Sequence, residues 1–291
     1  MLRKSTITLL RLPFSFFLMP VFFLALSQVQ EIDYGKALLV FVILHLIMYP
    51  ASNGYNSYMD KDEESIGILE KPPVATKELF YLTLLLDGIA VVLSFMVNGP
   101  FALCIIANIL ASRAYSYRGI RLKKYPVTGF LTVIVFQGAI TYYMVYTGSS
   151  AQHEIPVPWM GMLISSFLFG GFYPLTQIYQ HQQDLRDGVR TISYALGYMG
   201  TFLFTGIMYA LAEILLFIYF NTKGQPGHFL VLQLFFLPVV GYFFFWWKRV
   251  HESRANASFR YCMRMNMIAA ICTNTAFILF NIMNHTGRHL F

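Results

Sequence analysis

The sequence predicts an all-α polytopic membrane protein with nine transmembrane helices, and three observations carry this prediction. Of the 291 residues, 57% are hydrophobic and only 12% are charged, whereas a soluble domain carries about 25% charged residues. Nine apolar runs can be drawn along the chain, and each approaches the roughly 20 residues that span the hydrocarbon core of a bilayer. Basic residues concentrate on every second connection between these runs, as expected for a multi-pass protein of the plasma or inner membrane.

The nine apolar runs follow one another with short connections. They lie near residues 9–28, 37–55, 79–97, 100–117, 127–147, 158–178, 197–220, 229–247 and 265–284. The third and fourth runs are joined only by Asn98-Gly99-Pro100, which predicts a tight hairpin. A signal peptide is the alternative for the first run, but its length and its proline interruptions favour an uncleaved first helix.

The distribution of basic residues predicts the orientation of the helices. With the N-terminus in the cytoplasm and strict alternation, 18 of the 21 lysines and arginines fall on the cytoplasmic side. The opposite side keeps only Lys36, Lys223 and Arg288, and its loop at residues 148–157 contains no basic residue. This asymmetry is what the positive-inside rule describes. The net charge of +7 is therefore a topology signal and does not indicate a nucleic-acid partner.

The connection after the second run carries a first acidic cluster at the predicted cytoplasmic face. Asn56, Asp60 and Glu64 recur every four residues, and on a helix this spacing places three oxygen ligands on one face. A hard cation such as Mg²⁺ accepts such ligands. Lys71 and Pro72 follow seven residues later. A solvated acidic loop between two membrane helices is the alternative interpretation.

A second acidic cluster at the corresponding place after the sixth run favours a functional site. It contains Gln180, Asp184 and Asp187, and Asp184 follows Asp60 by 124 residues. This separation suits four membrane helices with their loops. It predicts a weak internal repeat of about residues 1–125 and 126–262 within a single domain that covers residues 1–291. Two carboxylate clusters at one end of a bundle can hold Mg²⁺ against a diphosphate.

The connection after the fourth run is basic and could supply cations for phosphate oxygens. It contains Tyr117, Arg118, Arg121, Lys123 and Lys124. Arginine grips phosphate with a planar fork of donors. Membrane anchoring through the positive-inside rule explains the same charges without a ligand.

These motifs resemble those of the UbiA-type intramembrane prenyltransferases. The first family motif is Asn-Asp-x-x-Asp-x-x-x-Asp, followed about seven residues later by Arg-Pro or Lys-Pro. Asn56 and Asp60 match this motif, Glu64 stands at its last Asp, and Lys71 begins the Lys-Pro element. Ser57 departs from the pattern, because it stands where the family usually has Asp.

The second family motif, Asp-x-x-x-Asp followed by Gly-x-x-Thr, also has a counterpart. Gln180 replaces its first Asp, and three further positions match it: Asp184, Gly188 and Thr191. The family also carries Tyr-x-x-x-Lys or a related basic element after the fourth helix. Tyr117 and Arg121, with Lys123 nearby, resemble this element. The resemblance covers the first eight predicted helices, and the losses at Ser57 and Gln180 remove two possible metal ligands.

The resemblance implies an all-helical fold around a central cavity that transfers a prenyl group from a polyprenyl diphosphate to an aromatic or other lipophilic acceptor. It implies Mg²⁺ as cofactor, membrane lipid as surroundings, and Asp60 and Asp184 as catalytic residues. The implied Mg²⁺ ligands are Asn56, Asp60, Glu64, Asp184 and Asp187. The implied substrate-binding residues are Asn56, Lys71, Tyr117, Arg121, Lys123, Gln180 and Arg190.

Two other functions stay open at this stage. An intramembrane terpene cyclase of the same fold would use the same head-group chemistry. A transporter or lipid-binding membrane protein would keep the acidic loops as structural elements. Because transporters place charges near the bilayer midplane whereas these acids cluster at one face, the sequence favours the enzyme.

Overall fold

The structure, a computed structural model, describes residues 2–61, 63–152 and 157–286, and these residues form an all-α bundle. The helices, numbered in chain order, are α1 Lys4–Leu9, α2 Met19–Gln28, α3 Tyr34–Asp60, α4 Lys77–Ser94, α5 Gly99–Ser116, α6 Pro126–Ser149, α7 Trp159–Gln177, α8 His181–Arg186, α9 Ile192–Thr222, α10 Pro226–Glu252 and α11 Phe259–Thr286. Extended pairing within the described ranges is limited to two isolated bridges, Ile32 with Ser150 and Ile66 with Leu69. The predicted fold class is therefore confirmed.

The helices coincide with the predicted apolar runs. The first run forms a 3-10 turn at Leu12–Phe17 and α2, and α1 precedes it. The segment Lys4–Phe17 is bent by 45° relative to α2, and the two make a bent pair. Among the described residues, five helices are long and apolar enough to cross a membrane, or six if the bent pair counts as one span. These five are α3, α6, α9, α10 and α11. The multi-pass membrane class is thus confirmed, while the predicted number of nine spans is approximate.

Polar side chains make α4 and α5 less apolar than the five long helices. The first turn of α4 carries Lys77 and Glu78, and Asp87 follows in its interior. In α5, Asn108 and Arg113 interrupt the apolar sequence. Asp87 and Arg113 pair with each other between helices and Asn108 lines the cavity described below, so hydropathy averaged along each helix underestimates its fit to the bundle.

Two helices contain a π-helical stretch, at Val42–Met48 in α3 and Ile134–Ile140 in α6. The residues that follow them are joined, because the Tyr49 hydroxyl lies 3.1 Å from Thr141 Oγ1. Inside the second stretch, Gly138 approaches the α7 backbone so closely that a Cβ atom there would lie 2.6 Å from Ser166 Cα. Small residues permit such close helix contacts in membranes, and π-helical turns are frequent at functional sites.

The main hydrophobic core fills the half of the bundle away from Asp60. Its fully buried members include Val40, Phe101, Tyr142, Phe220 and Phe280. The outer surface is apolar as well, with Leu103, Leu203 and Leu234 each about two-thirds exposed, as expected for side chains that face lipid. The internal repeat of about residues 1–125 and 126–262 stays a prediction.

Candidate active site

A cavity of about 240 Å³ lies in the half of the bundle that contains both acidic clusters. One face of α3 lines it with Tyr49, Ser52, Asn53, Asn56 and Asp60. These positions follow the three- and four-residue spacing of a helix face. At a rise of 1.5 Å per residue, the lined part of α3 is about 16 Å long. We call the end of the cavity at Asp60, Lys123 and Asp184 its mouth.

Asp60 is the last residue of α3 and one of the most enclosed charges of the mouth. The helix ends there because Lys61 adopts the left-handed conformation (φ 55°, ψ 45°). The Asp60 carboxylate accepts a hydrogen bond from Asn56 Nδ2 at 2.8 Å and contacts Lys123 Nζ. Arg121 is 3.5 Å away. Because the Asp60 side chain is only 5% exposed, these cations offset the cost of desolvating its charge.

Arg118 and Arg121 connect the end of α3 with the loop after α8. Arg118 donates to the carbonyl oxygen of Met59 at 2.7 Å, one of the carbonyls that a helix C-terminus leaves without an intrahelical partner. Arg121 donates to the carbonyl oxygen of Asp187 at 3.0 Å and forms an ion pair with its carboxylate. Both arginines therefore hold Asp187, and Arg121 shares Asp60 as well.

The second acidic cluster approaches the same cavity from α8. Asp184 and Gln180 both line it. The Gln180 side-chain amide donates to the carbonyl oxygen of Ser65 at 3.1 Å and so ties α8 to the connection after α3. Tyr115 and Tyr173 also line the cavity, with their hydroxyl groups hydrogen-bonded to each other across it.

The structure brings five of the predicted site residues to the cavity wall. They are Asn56, Asp60, Lys123, Gln180 and Asp184. The other six predicted residues lie within the described ranges but do not line the cavity. They are Glu64, Lys71, Tyr117, Arg121, Asp187 and Arg190. Lys71, Tyr117 and Arg190 have exposed side chains. Asp62, a further acid of the first cluster, lies outside the described residues.

The prediction that Asn56, Asp60 and Glu64 share one helix face is wrong for Glu64. A shared face requires the helix to continue past Asp60, whereas α3 ends there. Glu64 instead forms an exposed ion pair with Arg186 of α8. Within the described part of the chain, no group of three or more His, Cys, Asp or Glu side chains is arranged to hold a metal ion.

Ser57, one departure from the family motif, removes no ligand from the cavity wall, because this position does not face the cavity. Its side chain is 2% exposed, its hydroxyl group has no hydrogen-bond partner, and it does not line the cavity. An acid at position 57 would therefore be aimed into protein in this backbone. Gln180, the other departure, does line the cavity.

Sequence reasoning missed Arg11 as a cavity residue, because it counted Arg11 only as a topology charge. Arg11 is 7% exposed, lines the cavity and donates to the carbonyl oxygen of Asn53 at 3.1 Å. Its backbone is left-handed, with φ of 49°, at the bend between α1 and α2. No residue pattern in the sequence indicates this role, because it depends on the left-handed conformation of Arg11 at the bend.

His181, the first residue of α8, is buried one turn before Asp184. Its ring lies 2.8 Å from Ser193 Oγ and stacks on Tyr198. Burial lowers the pKa of His181 from 6.5 to about 4. Because the unfolded chain takes up this proton at higher pH than the folded one, the contribution of His181 to stability is complete above about pH 6.5 and is lost as the pH falls toward 4.

We expect His181→Gln to flatten the acid side of the stability profile. Thermal unfolding in detergent at several pH values between about 7.5 and 4.5 checks this. The wild-type midpoint should fall across this range more than that of the variant. His251→Gln, at an exposed position, is the matched control and should follow the wild type. Equal pH dependence of the wild type and the His181 variant would contradict the assignment.

Comparisons with known proteins agree with this architecture. The model of the UbiA prenyltransferase family matches residues 15–268. A solved UbiA homolog from Archaeoglobus fulgidus bound to GPP and Mg²⁺ is similar at 16% identity and a TM-score of 0.69, covering 95% of this chain and 100% of that chain. The apo UbiA homolog from Aeropyrum pernix K1 is similar at 18% identity and a TM-score of 0.70, covering 92% and 98%.

A structure described as digeranylgeranylglyceryl phosphate synthase in membranes also matches, at 18% identity and a TM-score of 0.62 over 96% of this chain and 98% of that chain. At identities this low, the structural matches establish a shared fold alone. A search of curated proteins gave no match. Because the family model covers most of the sequence, the chain belongs to the UbiA prenyltransferase family.

Proposed function

We propose that this protein transfers a prenyl group from a polyprenyl diphosphate to an aromatic or other lipophilic acceptor inside the membrane. One observation carries the proposal: Asp60 and Asp184, from the two acidic clusters, line a single cavity together with Lys123. Family membership supports prenyl transfer in general. The homolog described as bound to GPP and Mg²⁺ supports a prenyl diphosphate and a divalent cation as ligands.

The donor atoms at the mouth suit Mg²⁺. This ion binds through one or two carboxylates and completes its shell with water and substrate phosphate oxygens. Asp60 and Asp184 provide the carboxylates, and the side-chain amides of Asn56 and Gln180 add neutral oxygens on the same wall. When bound, Mg²⁺ supplies part of the charge neutralisation that makes diphosphate a leaving group. Glu64 and Asp187 remain in ion pairs with arginines and have supporting roles in this proposal.

The residues of the chain hold the donor and shield the reaction. Lys123 exchanges its contact with Asp60 for a phosphate oxygen, and Arg11 is a second cation on the cavity wall. The donor C1–O bond breaks with its electron pair on diphosphate. The acceptor forms the new bond to the allylic carbon and gives up a proton, which diphosphate accepts. The rings of Phe136, Phe169 and Phe172 line the cavity and offer their faces to the allylic cation.

The experiment that tests this function incubates purified protein with Mg²⁺ and a panel of labelled prenyl diphosphates of different chain lengths, with and without a lipid extract as acceptor source. We expect a prenylated lipid product and released diphosphate, both abolished by a chelator. A cyclic hydrocarbon formed without an acceptor would instead identify a terpene cyclase. Failure to bind or turn over any donor would leave a transporter or lipid-binding protein.

We also propose that the cavity mouth faces the cytoplasm, because the basic connections lie at that end. Single cysteines at Ala151 and Glu70, both exposed, test this after Cys104, Cys262 and Cys272 are replaced by Ala. In intact cells, a membrane-impermeant thiol reagent should label Ala151→Cys, and it should reach Glu70→Cys only after permeabilisation. The reverse pattern would show that the topology is inverted.

A further inference from the structure

The end of the cavity opposite the mouth is polar, although it lies inside the bundle. Asn108 of α5 and Gln137 of α6 line it, and we call these two residues the floor. Asn108 is 3% exposed, and its Nδ2 is buried without a hydrogen-bond partner. Gln137 Oε1 is likewise buried and accepts no hydrogen bond. Buried polar atoms are nearly always paired in native proteins, so the floor points to a ligand or a water molecule.

A ladder of hydrogen bonds between α3 and α5 shows how deep the floor lies. Asn56 Nδ2 donates to Ser116 Oγ at 3.0 Å, and one turn deeper Ser52 Oγ lies 2.6 Å from Ser112 Oγ. Asn108 is one further turn along α5. Eight residues at a rise of 1.5 Å place it about 12 Å from Ser116 along the helix. The floor is therefore well separated from the charges of the mouth.

The floor offers one hydrogen-bond donor, Asn108 Nδ2, and one acceptor, Gln137 Oε1. Both residues are uncharged. The nearest ionic groups, Asp87 and Arg113, lie behind Asn108 in a small adjoining pocket and form an ion pair with each other. Arg113 is further held by Thr83 and stacks over the ring of Tyr55 at 3.8 Å. This pair is neutral as a unit and has no spare charge for a ligand carboxylate.

The chemistry of the floor indicates which reactant binds there, the prenyl donor or the acceptor. A hydrocarbon prenyl tail placed against it would leave both amide groups unpaired, which is unfavourable. An aromatic ring with a hydroxyl group and a second oxygen would accept from Asn108 and donate to Gln137. A carboxylate there would be desolvated without a cation to offset its charge.

We propose that Asn108 and Gln137 bind the polar end of the acceptor, and that this acceptor is an uncharged phenol or quinol rather than a ring carboxylate. The proposal rests on the proposed function, since it names the acceptor class of the same cavity. The diphosphate binds at the mouth, and the acceptor ring lies between the floor and the allylic carbon of the donor. The prenyl tail then leaves the cavity by another route.

The test compares two probes in wild-type protein in lipid nanodiscs: hydroquinone and its carboxylated analogue 2,5-dihydroxybenzoate, with geranyl diphosphate and Mg²⁺. We expect kcat/KM for hydroquinone to exceed that for the carboxylate by about tenfold or more. Asn108→Leu and Gln137→Met should each raise the KM for hydroquinone about tenfold, the value of one lost hydrogen bond in a closed site, and leave the KM for the donor unchanged.

The thermal unfolding midpoint of the ligand-free protein distinguishes a binding role of Asn108 from a structural role. Leu has nearly the same shape as Asn, and Asn108→Leu removes an Nδ2 group that has no hydrogen-bond partner, so the ligand-free unfolding midpoint should stay the same or rise. A clear fall in that midpoint would mean that Asn108 serves the fold, and it would overturn the proposal. Asn108→Ser, which keeps a hydrogen-bonding group, should recover part of the acceptor affinity.

The remaining outcomes also decide the question. An unchanged acceptor KM in both variants would mean that water alone occupies the floor. A raised donor KM would place the prenyl tail there, and preference for the carboxylate would reject the neutral acceptor; each overturns the inference. If wild-type protein releases diphosphate but neither probe reacts or binds, the inference fails while donor chemistry stands. If it neither binds nor cleaves geranyl diphosphate, the proposed function itself fails.

Discussion

Replacing Asp60 or Asp184 by Asn is expected to lower the rate of prenyl transfer by roughly a hundredfold or more, the size of effect seen when one charge-stabilising group is removed from an active site. Diphosphate leaves slowly until its charge is neutralised, and these two carboxylates are the acids that line the cavity mouth. Asn keeps the shape of the side chain and removes the charge that attracts the metal. The apparent affinity for Mg²⁺ should fall together with kcat.

Stability and a matched control distinguish this effect from unfolding. Asp60→Asn leaves Lys123 and Arg121 without their shared anion, so its unfolding midpoint should drop modestly while the variant stays folded. Asp33→Asn makes the same change at the opposite end of the bundle, where Asp33 caps α3 by accepting from the Lys36 amide. Asn is an equally good cap, so activity should persist. Full turnover by the Asp60→Asn, Asp184→Asn double variant in the presence of chelator would refute metal-assisted ionisation.

Replacing Lys123 by Met is expected to weaken donor binding by about thirtyfold to a hundredfold, because it removes a charge-assisted contact to phosphate in an enclosed site. The Lys123 side chain is 10% exposed and its ammonium group contacts Asp60. Without it, Asp60 repels the incoming diphosphate until metal arrives. The dissociation constant for a non-hydrolysable donor analogue, measured with and without Mg²⁺, reports this loss.

Lys124 provides a neighbouring control of the same residue type. Its side chain is exposed and lies over the ring of Tyr125 at 4.9 Å, outside the cavity lining. Lys124→Met should therefore change donor affinity by less than about twofold, as surface charges usually do. If both variants lose affinity equally, the charge of the whole connection, and not a contact of Lys123, attracts the donor.

The sequence was sufficient to predict the helices and the position of the mouth. Apolar runs predicted where the membrane-length helices lie, because such runs follow directly from the cost of burying backbone and charge in lipid. Asp60, Asp184 and Lys123 meet at one cavity as expected from their places in connections at the same membrane face. Counting spans by hydropathy was less reliable, because α5 turns Asn108 and Ser112 toward the cavity.

The predictions for individual side chains such as Glu64 and Arg11 failed because they depend on local backbone conformation. Helical spacing aligned Glu64 with Asp60, but the left-handed conformation of Lys61 ends α3 between them. Arg11 reaches the cavity through a second left-handed residue at the bend after α1. Non-glycine residues adopt this conformation rarely, and no pattern of residue types in the sequence announces it. The roles of Asn108 and Gln137 depend on which atoms stay unpaired after packing, which only the folded chain reveals.

The π-helical stretch in α3 means that the direction of the Asp60 side chain depends on the number of residues before it as well as on their identities. Such a stretch accommodates one extra residue in a helix. If Val42–Met48 wound as a regular α-helix at its present length, the extra residue would turn everything after it by about 100° relative to the part before it. Asp60 would then face a neighbouring helix or lipid, although every ligand remained in the sequence. A one-residue deletion within Val42–Met48, which removes the extra residue, is therefore expected to be tolerated better than a one-residue insertion there.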